Sequence, residues 1–297
     1  MNWQALLRGE AVMTFNIVLG MLIGDVIFRL GIAEKMMRAL MPLLRRVGIG
    51  PVLGTAMTVS MGSSKAGAAL LARATEEGRM SHDGAIWGTL SLSFPAYLRR
   101  WPSTLVLCAS MTGRAGVIFA VTLLLRSLGR FLYAAFKARG SENSAPEETN
   151  EAQRKPRSGF GWYKRLLKTL PVAWAFYAAA FLLMPHVERL LREHLAGDLL
   201  PVAGWGVASA AIAGISASLA LARGALETGE LGTAQTVFAL LLGNGLGYFT
   251  RALRQNAGYF FGIFPAGMSK SILVRNIVTM IPFVLVSLAI SALFIVI

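Results

Sequence analysis

Two stretches of this chain place helix-breaking residues close to a tyrosine and an arginine inside apolar sequence. They are LSFPAYLRR (92–100) and GNGLGYFTR (243–251). Glycine and proline there would release backbone groups toward a ligand, and the polar side chains could bind a polar or anionic one. The candidate ligand-binding side chains are Ser93, Tyr97, Arg100, Asn244, Tyr248, Arg251 and, slightly further on, Asn256. The expected backbone breaks lie at Pro95, Gly243, Gly245 and Gly247. A competing interpretation is a tight crossing of two helices, with the arginines holding lipid phosphates at the membrane interface.

A third polar stretch, VSMGSSKAG (59–67), adds Ser63, Ser64 and Lys65 to the candidate site. A lysine at membrane depth is costly unless it faces water, a partner or a ligand. The alternative is a lysine at a helix end that extends to the interface, beside serines that allow close helix packing. Both interpretations stay open from the sequence.

The composition identifies the protein class. Of the 297 residues, 55% are hydrophobic and 15% are charged, whereas soluble domains carry about 25% charged residues. The chain is therefore expected to be an all-α polytopic protein of the cell (inner) membrane. The formal net charge of +14 fits cationic loops on the cytoplasmic side, so no nucleic acid is expected among its partners. Membrane lipids and a small-molecule solute are expected, and assembly into a homo-oligomer is left open.

Catalytic and metal-binding patterns are absent from the sequence. A single cysteine, Cys108, excludes an internal disulfide and a CxxC site. No HExxH, paired-carboxylate or Walker pattern occurs. We therefore expect no metal, no cofactor and no enzymatic activity.

About ten apolar segments follow one another along the chain, and several are shorter than the ~20 residues of a full span. These predict broken or re-entrant helices. Two amphipathic stretches, 33–46 and 186–195, predict helices lying flat on the membrane. Residues 139–161 are polar and rich in Ser, Glu and Pro, which predicts a flexible linker between a first unit (1–138) and a second (162–297).

The two units are related in sequence. A shift of 151 residues aligns 62–104 with 213–255 without a gap, and nine of the 43 pairs are identical. The identities include Glu76 with Glu227, Tyr97 with Tyr248, and Arg100 with Arg251. This coincidence predicts two repeats of about five hydrophobic segments each.

Charge indicates how the repeats are oriented. The flanks of the linker are rich in Lys and Arg, which predicts a cytoplasmic linker. The amphipathic stretch of the first unit is cationic, while the charges of the second (186–195) nearly balance. Equivalent helices on opposite faces predict inverted repeats, with both chain termini outside.

The stretch PLLRRVGIGPVLGTAMTVSMGSSKAGAALLARATEEGRMS (42–81), after an apolar segment and an amphipathic one, resembles the Gate, or nucleoside-recognition, domain. Such domains occur in the permease part of ferrous-iron transporter B proteins and in spore maturation proteins A and B. The resemblance covers about 32–120 and 186–280, as two Gate-type repeats, and implies helical hairpins that meet at the membrane centre. The iron transporters carry Gly-Cys-Asn-Val-Pro at the broken helix, and this chain has MGSSKAG instead.

Inverted repeats with broken helices are typical of secondary transporters. The sequence therefore predicts a permease that moves a small polar, anionic solute or a lipid head group by alternating access at the repeat interface. The alternative is a non-transporting membrane partner that binds lipid or another protein.

Overall fold

The computed structural model describes residues 48–142, 200–251 and 263–296, together with residues 11, 42, 260 and 261. Its regular secondary structure is all helical, apart from one isolated antiparallel bridge between Met80 and Glu142, which confirms the all-α prediction for these residues. The helices are α1 (Pro51–Gly62), α2 (Ser64–Glu76), α3 (His82–Ser91), α4 (Ser93–Lys137), α5 (Val202–Ala213), α6 (Ile215–Glu227), α7 (Thr233–Arg251), α8 (Ala266–Val278) and α9 (Met280–Val296).

Helix pairs of equal length lie 151 residues apart. Helices α1 and α2 have 12 and 13 residues, and so do α5 and α6. One extended residue separates the members of each pair, Ser63 in the first and Gly214 in the second. The Ser63 hydroxyl accepts a hydrogen bond from the Ala66 amide at 3.3 Å, which satisfies one of the free N–H groups at the start of α2.

The correspondence continues beyond these pairs. Gly78 after α2 and Gly229 after α6 have φ angles of 70° and 74°, a left-handed conformation that glycine adopts without the cost of a side chain. Helix α3 begins at His82 and α7 at Thr233, again 151 residues apart. The helix bounds thus follow the shift that the sequence identities define.

Helix α4 doubles back on itself at Gly113, whose φ of 57° and ψ of −128° are not helical. The Trp101 Nε1–H donates a hydrogen bond to the Ala120 carbonyl at 2.9 Å. In a straight helix these residues would lie roughly 28 Å apart. Phe94 and Phe131 stack with ring centroids 4.9 Å apart. The arms, 93–112 and 114–137, are therefore antiparallel and packed together.

Helix α7 corrects one prediction. It runs from Thr233 to Arg251 as one helix, so no backbone break occurs at Gly243, Gly245 or Gly247. A Cβ on Gly243 would lie 2.5 Å from the Ala208 carbonyl oxygen, and one on Gly245 would lie 2.9 Å from Val284. These glycines allow α7 to pack closely on α5 and α9, as small residues do where helices cross.

The interruption expected at Pro95 falls at Leu92, between α3 and α4. Pro95 lies in the first turn of α4, where the amides have no intrahelical partner in any case. The proline therefore marks a helix start.

Two stretches, His82–Lys137 and Ala266–Val296, are long and apolar enough to cross a membrane. The first includes the α4 hairpin, and the second joins α8 and α9. Helix α9 exposes a row of large apolar side chains, as a lipid-facing helix does. They are Ile281, Leu285, Val286, Ile290, Leu293, Phe294 and Val296.

The described residues form two hydrophobic cores, and each combines both halves of the chain. The first core is built by α1, α2, α3 and both ends of α4, and it includes Phe264, Met268 and Ile272. The second is built by α5, α6 and α7, and it includes Cys108, Met111, Ala115, Phe119, Ala120 and Leu123 from the α4 hairpin. Each half therefore completes the core of the other.

The beginning of the predicted linker is held against the first half. The Glu142 carboxylate accepts hydrogen bonds from the Val52 amide at 3.0 Å and the Leu53 amide at 2.7 Å, at the start of α1. The Gly140 amide donates to the Gly48 carbonyl at 3.4 Å. Residues 143–161 of the linker, both amphipathic stretches apart from Pro42, and nearly all of the apolar segment 11–31 lie outside the described residues.

Candidate functional site

Two arginines on the second arm of α4 face two polar side chains on α7. Arg126 donates to the Asn244 side-chain oxygen, and Arg130 Nη1 donates to the Tyr248 hydroxyl at 2.9 Å. Each pair of residues is four apart on its own helix, so each pair shares one helix face. Because both sequence numbers rise together, this arm of α4 runs parallel to α7. The contact joins the first half of the chain to the second.

Helices α8 and α9 complete the cluster around Arg130. Arg130 Nη2 donates to the Asn276 side-chain oxygen, and Nη1 lies 3.9 Å from the Met280 sulfur. The Tyr248 hydroxyl donates to the same Asn276 oxygen at 3.0 Å. The Asn276 oxygen thus accepts two hydrogen bonds.

These groups are withdrawn from solvent. Arg126 is 8% exposed, Arg130 5% and Asn276 7%. The described partners of Arg130 are an amide, a phenol and a thioether, and none is a carboxylate. A buried guanidinium with only neutral partners is costly, because its desolvation is not balanced by an opposite charge.

Arg130 Nε and Asn276 Nδ2 are buried donors of the cluster that have no acceptor among the described residues. A hydrogen bond from Arg130 Nη2 to the Asn276 oxygen already joins the two side chains, so the two donors lie close to each other. The Tyr97 hydroxyl is a third buried group that lacks a partner in the described part of the chain. Arrangements of this kind fit a ligand that supplies acceptor oxygens.

The structure brings together two of the candidate residues from the sequence, Asn244 and Tyr248. Their counterparts in the first half are placed differently. Ser93 is exposed, and its hydroxyl donates to the Leu90 carbonyl of the preceding helix at 2.9 Å. The hydroxyl of Tyr97, the counterpart of Tyr248, is buried without a partner among the described residues. Arg100, the counterpart of Arg251, is exposed. The polar cluster is therefore asymmetric between the halves.

Ser63 and Ser64, two further candidates, do not join the cluster. Ser63 and Ser64 are exposed at the junction of α1 and α2. The side chains of Lys65 and Arg251 and the whole of Asn256 lie outside the described part. Gly62, next to Ser63, accepts a hydrogen bond from Arg99 at 3.4 Å, which links this junction to the first arm of α4.

Sequence reasoning missed Arg126, Arg130 and Asn276 as site residues. Both belong to the Lys- and Arg-rich flank on which the prediction of a cytoplasmic linker depends, and in the structure both are buried between helices. A local signal existed in LLLRSLGRF (123–131), where two arginines four residues apart interrupt an apolar helix. Asn276 gave no such signal, because it contacts Arg130 from 146 residues away.

Metal-binding chemistry has no candidate group in the described ranges, where no cluster of three or more His, Cys, Asp or Glu side chains occurs. Cys108 is a free, fully buried thiol within the second core. Packing explains its position, because free cysteine behaves as a small hydrophobe in protein cores.

Comparison with known proteins gives a distant relative. An uncharacterized protein of Methanocaldococcus jannaschii is 23% identical over 260 residues, which cover 83% of this chain and 81% of the archaeal protein. No protein-family model matches the chain. No solved structure matches it either. The resemblance to Gate domains therefore stays a prediction.

Proposed function

We propose that this chain is a multi-pass membrane permease for a small polar, anionic solute or a lipid head group. The observation that carries the proposal is Arg130, a buried cation whose described partners are all neutral, at a contact between the two halves. Buried ionisable residues within membrane segments mark binding sites or pathways more often than purely structural positions. A bound anion would supply the charge that the neighbouring side chains lack.

The arrangement of the halves supports transport by alternating access. The helix bounds recur at a shift of 151 residues, and each half completes the core of the other. Repeats with opposite orientation commonly place their solute site at such an interface. In this proposal the linker is cytoplasmic, both termini lie outside, and the two repeats move against each other around the arginine cluster.

An exchange assay tests the function. The purified protein is reconstituted into liposomes, and uptake of labelled phosphate, sulfate and succinate is measured against the same unlabelled anion inside. Transfer of a fluorescent phosphatidylglycerol between leaflets tests whether the substrate is a lipid head group. Arg126→Gln should slow exchange about tenfold, the effect of losing one charge-assisted hydrogen bond.

The chain offers a matched control on the same arm of α4. Arg114 is exposed, so Arg114→Gln should leave exchange unchanged although it removes the same charge. Asn244→Asp adds a second test, because it gives Arg126 an internal carboxylate and should slow exchange while the protein stays folded. Equal rates in all three variants, or no movement of any of these compounds, would overturn the proposal.

A second function, a non-transporting membrane partner, is favoured by one observation. Arg126 and Arg130 already contact the oxygens of Asn244 and Asn276 directly, so the cluster could hold the two halves together without any solute. In that case Asn244→Asp should raise the unfolding temperature, and no compound in the exchange assay should move.

A further inference from the structure

We infer that the site accepts an oxyanion with at least two terminal oxygens, of the phosphate type, which binds along the Nε–Nη2 edge of Arg130 in place of the Asn276 oxygen. This inference rests on the proposed function in taking the arginine cluster as the solute site. The same chemistry could be presented by free phosphate or by a phospholipid head group.

The free groups in the cluster select for acceptors. Arg130 Nε and Asn276 Nδ2 are buried donors without an acceptor among the described residues. Leaving such a donor unsatisfied is unfavourable, because it has given up its hydrogen bonds to water without gaining an acceptor in the protein. The amide oxygens of Asn244 and Asn276, by contrast, already accept hydrogen bonds from arginine. A ligand that donates hydrogen bonds, such as an amine, would find its acceptors occupied.

The geometry of the guanidinium explains why two oxygens are needed. Arginine binds carboxylates and phosphates through two parallel N–H groups. In Arg130, Nη1 is turned toward Tyr248 and Met280. This leaves the edge formed by Nε, which has no described partner, and Nη2, which holds the Asn276 oxygen. Two oxygens of one oxyanion match that edge.

Asn276 is the group that the ligand would displace. Its oxygen is neutral, and hydrogen bonds to a charged acceptor are about twice as strong as neutral ones. Replacing the Asn276 oxygen by an anion is therefore favourable for Arg130. The side chain of Asn276 can then donate its Nδ2–H to the same ligand. Asn276 would occupy the Arg130 edge when no ligand is bound, and it would donate a hydrogen bond to the ligand when one is bound.

The substitution Asn276→Asp tests this arrangement. An aspartate keeps the size of the side chain and offers Arg130 a permanent carboxylate, which should compete with any oxyanion. We expect phosphate binding to weaken at least about tenfold, the effect of one charge-assisted hydrogen bond. The unfolding temperature should be unchanged or higher, so that loss of binding is not confused with misfolding.

Binding is measured by isothermal titration of the whole protein in nanodiscs, without a transport step. Phosphate, sulfate, acetate and ammonium are titrated into protein in zwitterionic lipid, and the heats are compared for wild type, Asn276→Asp, Arg130→Lys and the control Arg114→Gln. We expect phosphate and sulfate to bind wild type and the control, acetate to bind more weakly than phosphate, and ammonium not to bind. Arg130→Lys keeps the charge but loses the two-donor edge, so it should weaken phosphate binding about tenfold as well.

The outcomes separate the two sources of the oxyanion. Binding of free phosphate in zwitterionic nanodiscs identifies a soluble ligand. If free phosphate does not bind wild type, but phosphatidylglycerol in the disc raises the unfolding temperature of wild type and not of Asn276→Asp, the ligand is a lipid head group. Equal phosphate binding by wild type, Asn276→Asp and Arg130→Lys would overturn the inference, and so would the absence of both effects.

The binding and exchange assays report separately on the oxyanion site and on transport. Phosphate binding without exchange in liposomes would contradict transport and support the oxyanion site. If a solute is exchanged and the exchange rate is the same in Asn276→Asp and Arg130→Lys, transport is supported and the oxyanion site is contradicted.

Discussion

Asp83 at the start of α3 and Arg275 near the end of α8 form an ion pair between the two halves of the chain, although they lie 192 residues apart in sequence. The guanidinium also lies over the Trp87 ring, 5.1 Å from its centroid. The next residue in α8, Asn276, holds Arg130 in the buried cluster. One helix therefore carries both a surface contact and a site contact between the halves.

The ion pair should make a small contribution to stability. The Arg275 side chain is 36% exposed and the Asp83 side chain 63% exposed, and pairs at such positions contribute about 0.2–1 kcal/mol. We expect Asp83→Asn and Arg275→Gln each to lower the unfolding temperature slightly. A double-mutant cycle on thermal unfolding should give a coupling within that range, and it should shrink in high salt.

A charge swap provides the control. Asp83→Arg together with Arg275→Asp should recover most of the coupling, whereas Asp83→Arg alone places two cations together. If the single reversal is as stable as the swap, the pair does not hold the halves together.

The correspondence of α1, α2 and α3 with α5, α6 and α7 could be predicted from the sequence. Nine identities occur at a shift of 151 residues, and the starts of these helices recur at the same shift. The α4 reversal at Gly113 and the burial of Arg126 and Arg130 could not be. The partners of Arg130 lie 118 to 150 residues away, so no local pattern distinguishes a buried arginine from one at the membrane surface. Three glycines in α7 suggested a backbone break for a related reason. The sequence does not show that other helices pack closely on Gly243 and Gly245.

Gly243 should tolerate no side chain. A Cβ there would approach the Ala208 carbonyl oxygen to 2.5 Å and the Ala208 Cα to 2.8 Å, and backbone atoms cannot move aside as a side chain can. We expect Gly243→Ala to destabilise the protein by about 1–3 kcal/mol, as overpacking does. Thermal unfolding of the purified protein measures the effect.

Gly224 is the matched control for that substitution. It lies inside α6, and a methyl group added there would have no heavy atom within 4 Å. Gly224→Ala should therefore stabilise the helix by about 0.5–1 kcal/mol. Destabilisation by both substitutions, or by neither, would contradict the close packing of α7 on α5.

Glu142 should stabilise the start of α1 from the far end of the α4 hairpin. Its carboxylate accepts two backbone hydrogen bonds there, and a negative charge at a helix N-terminus is favourable. We expect Glu142→Ala to cost about 0.5–2 kcal/mol, the range for loss of a helix cap. Glu142→Gln keeps one acceptor oxygen and should cost less.

Glu230 gives the comparison for this prediction, because it is exposed in the turn before α7. Glu230→Ala removes the same charge and should change the unfolding temperature little. A cost for Glu142→Ala no larger than that for Glu230→Ala would mean that the α4 end does not hold α1.

Tyr97 and Tyr248 occupy equivalent positions in the two halves and should respond oppositely to loss of the hydroxyl. The Tyr248 hydroxyl accepts from Arg130 and donates to Asn276, so Tyr248→Phe removes the oxygen acceptor of Arg130 Nη1 and one of the two hydrogen bonds to the Asn276 oxygen. The Tyr97 hydroxyl is buried without a partner among the described residues, so Tyr97→Phe removes an unsatisfied group. We expect Tyr248→Phe to cost about 1–3 kcal/mol and Tyr97→Phe to be neutral or stabilising.

Both substitutions delete one oxygen from tyrosines that align at the shift of 151 residues, so each serves as the control for the other. Thermal unfolding gives the stability difference, and phosphate titration gives the effect on binding. Tyr248→Phe should also weaken phosphate binding, because Arg130 loses the contact that turns its Nη1 away from the binding edge. If Tyr97→Phe weakens phosphate binding as strongly, the Tyr97 hydroxyl is a ligand contact, and the site extends across the junction into the first arm of α4.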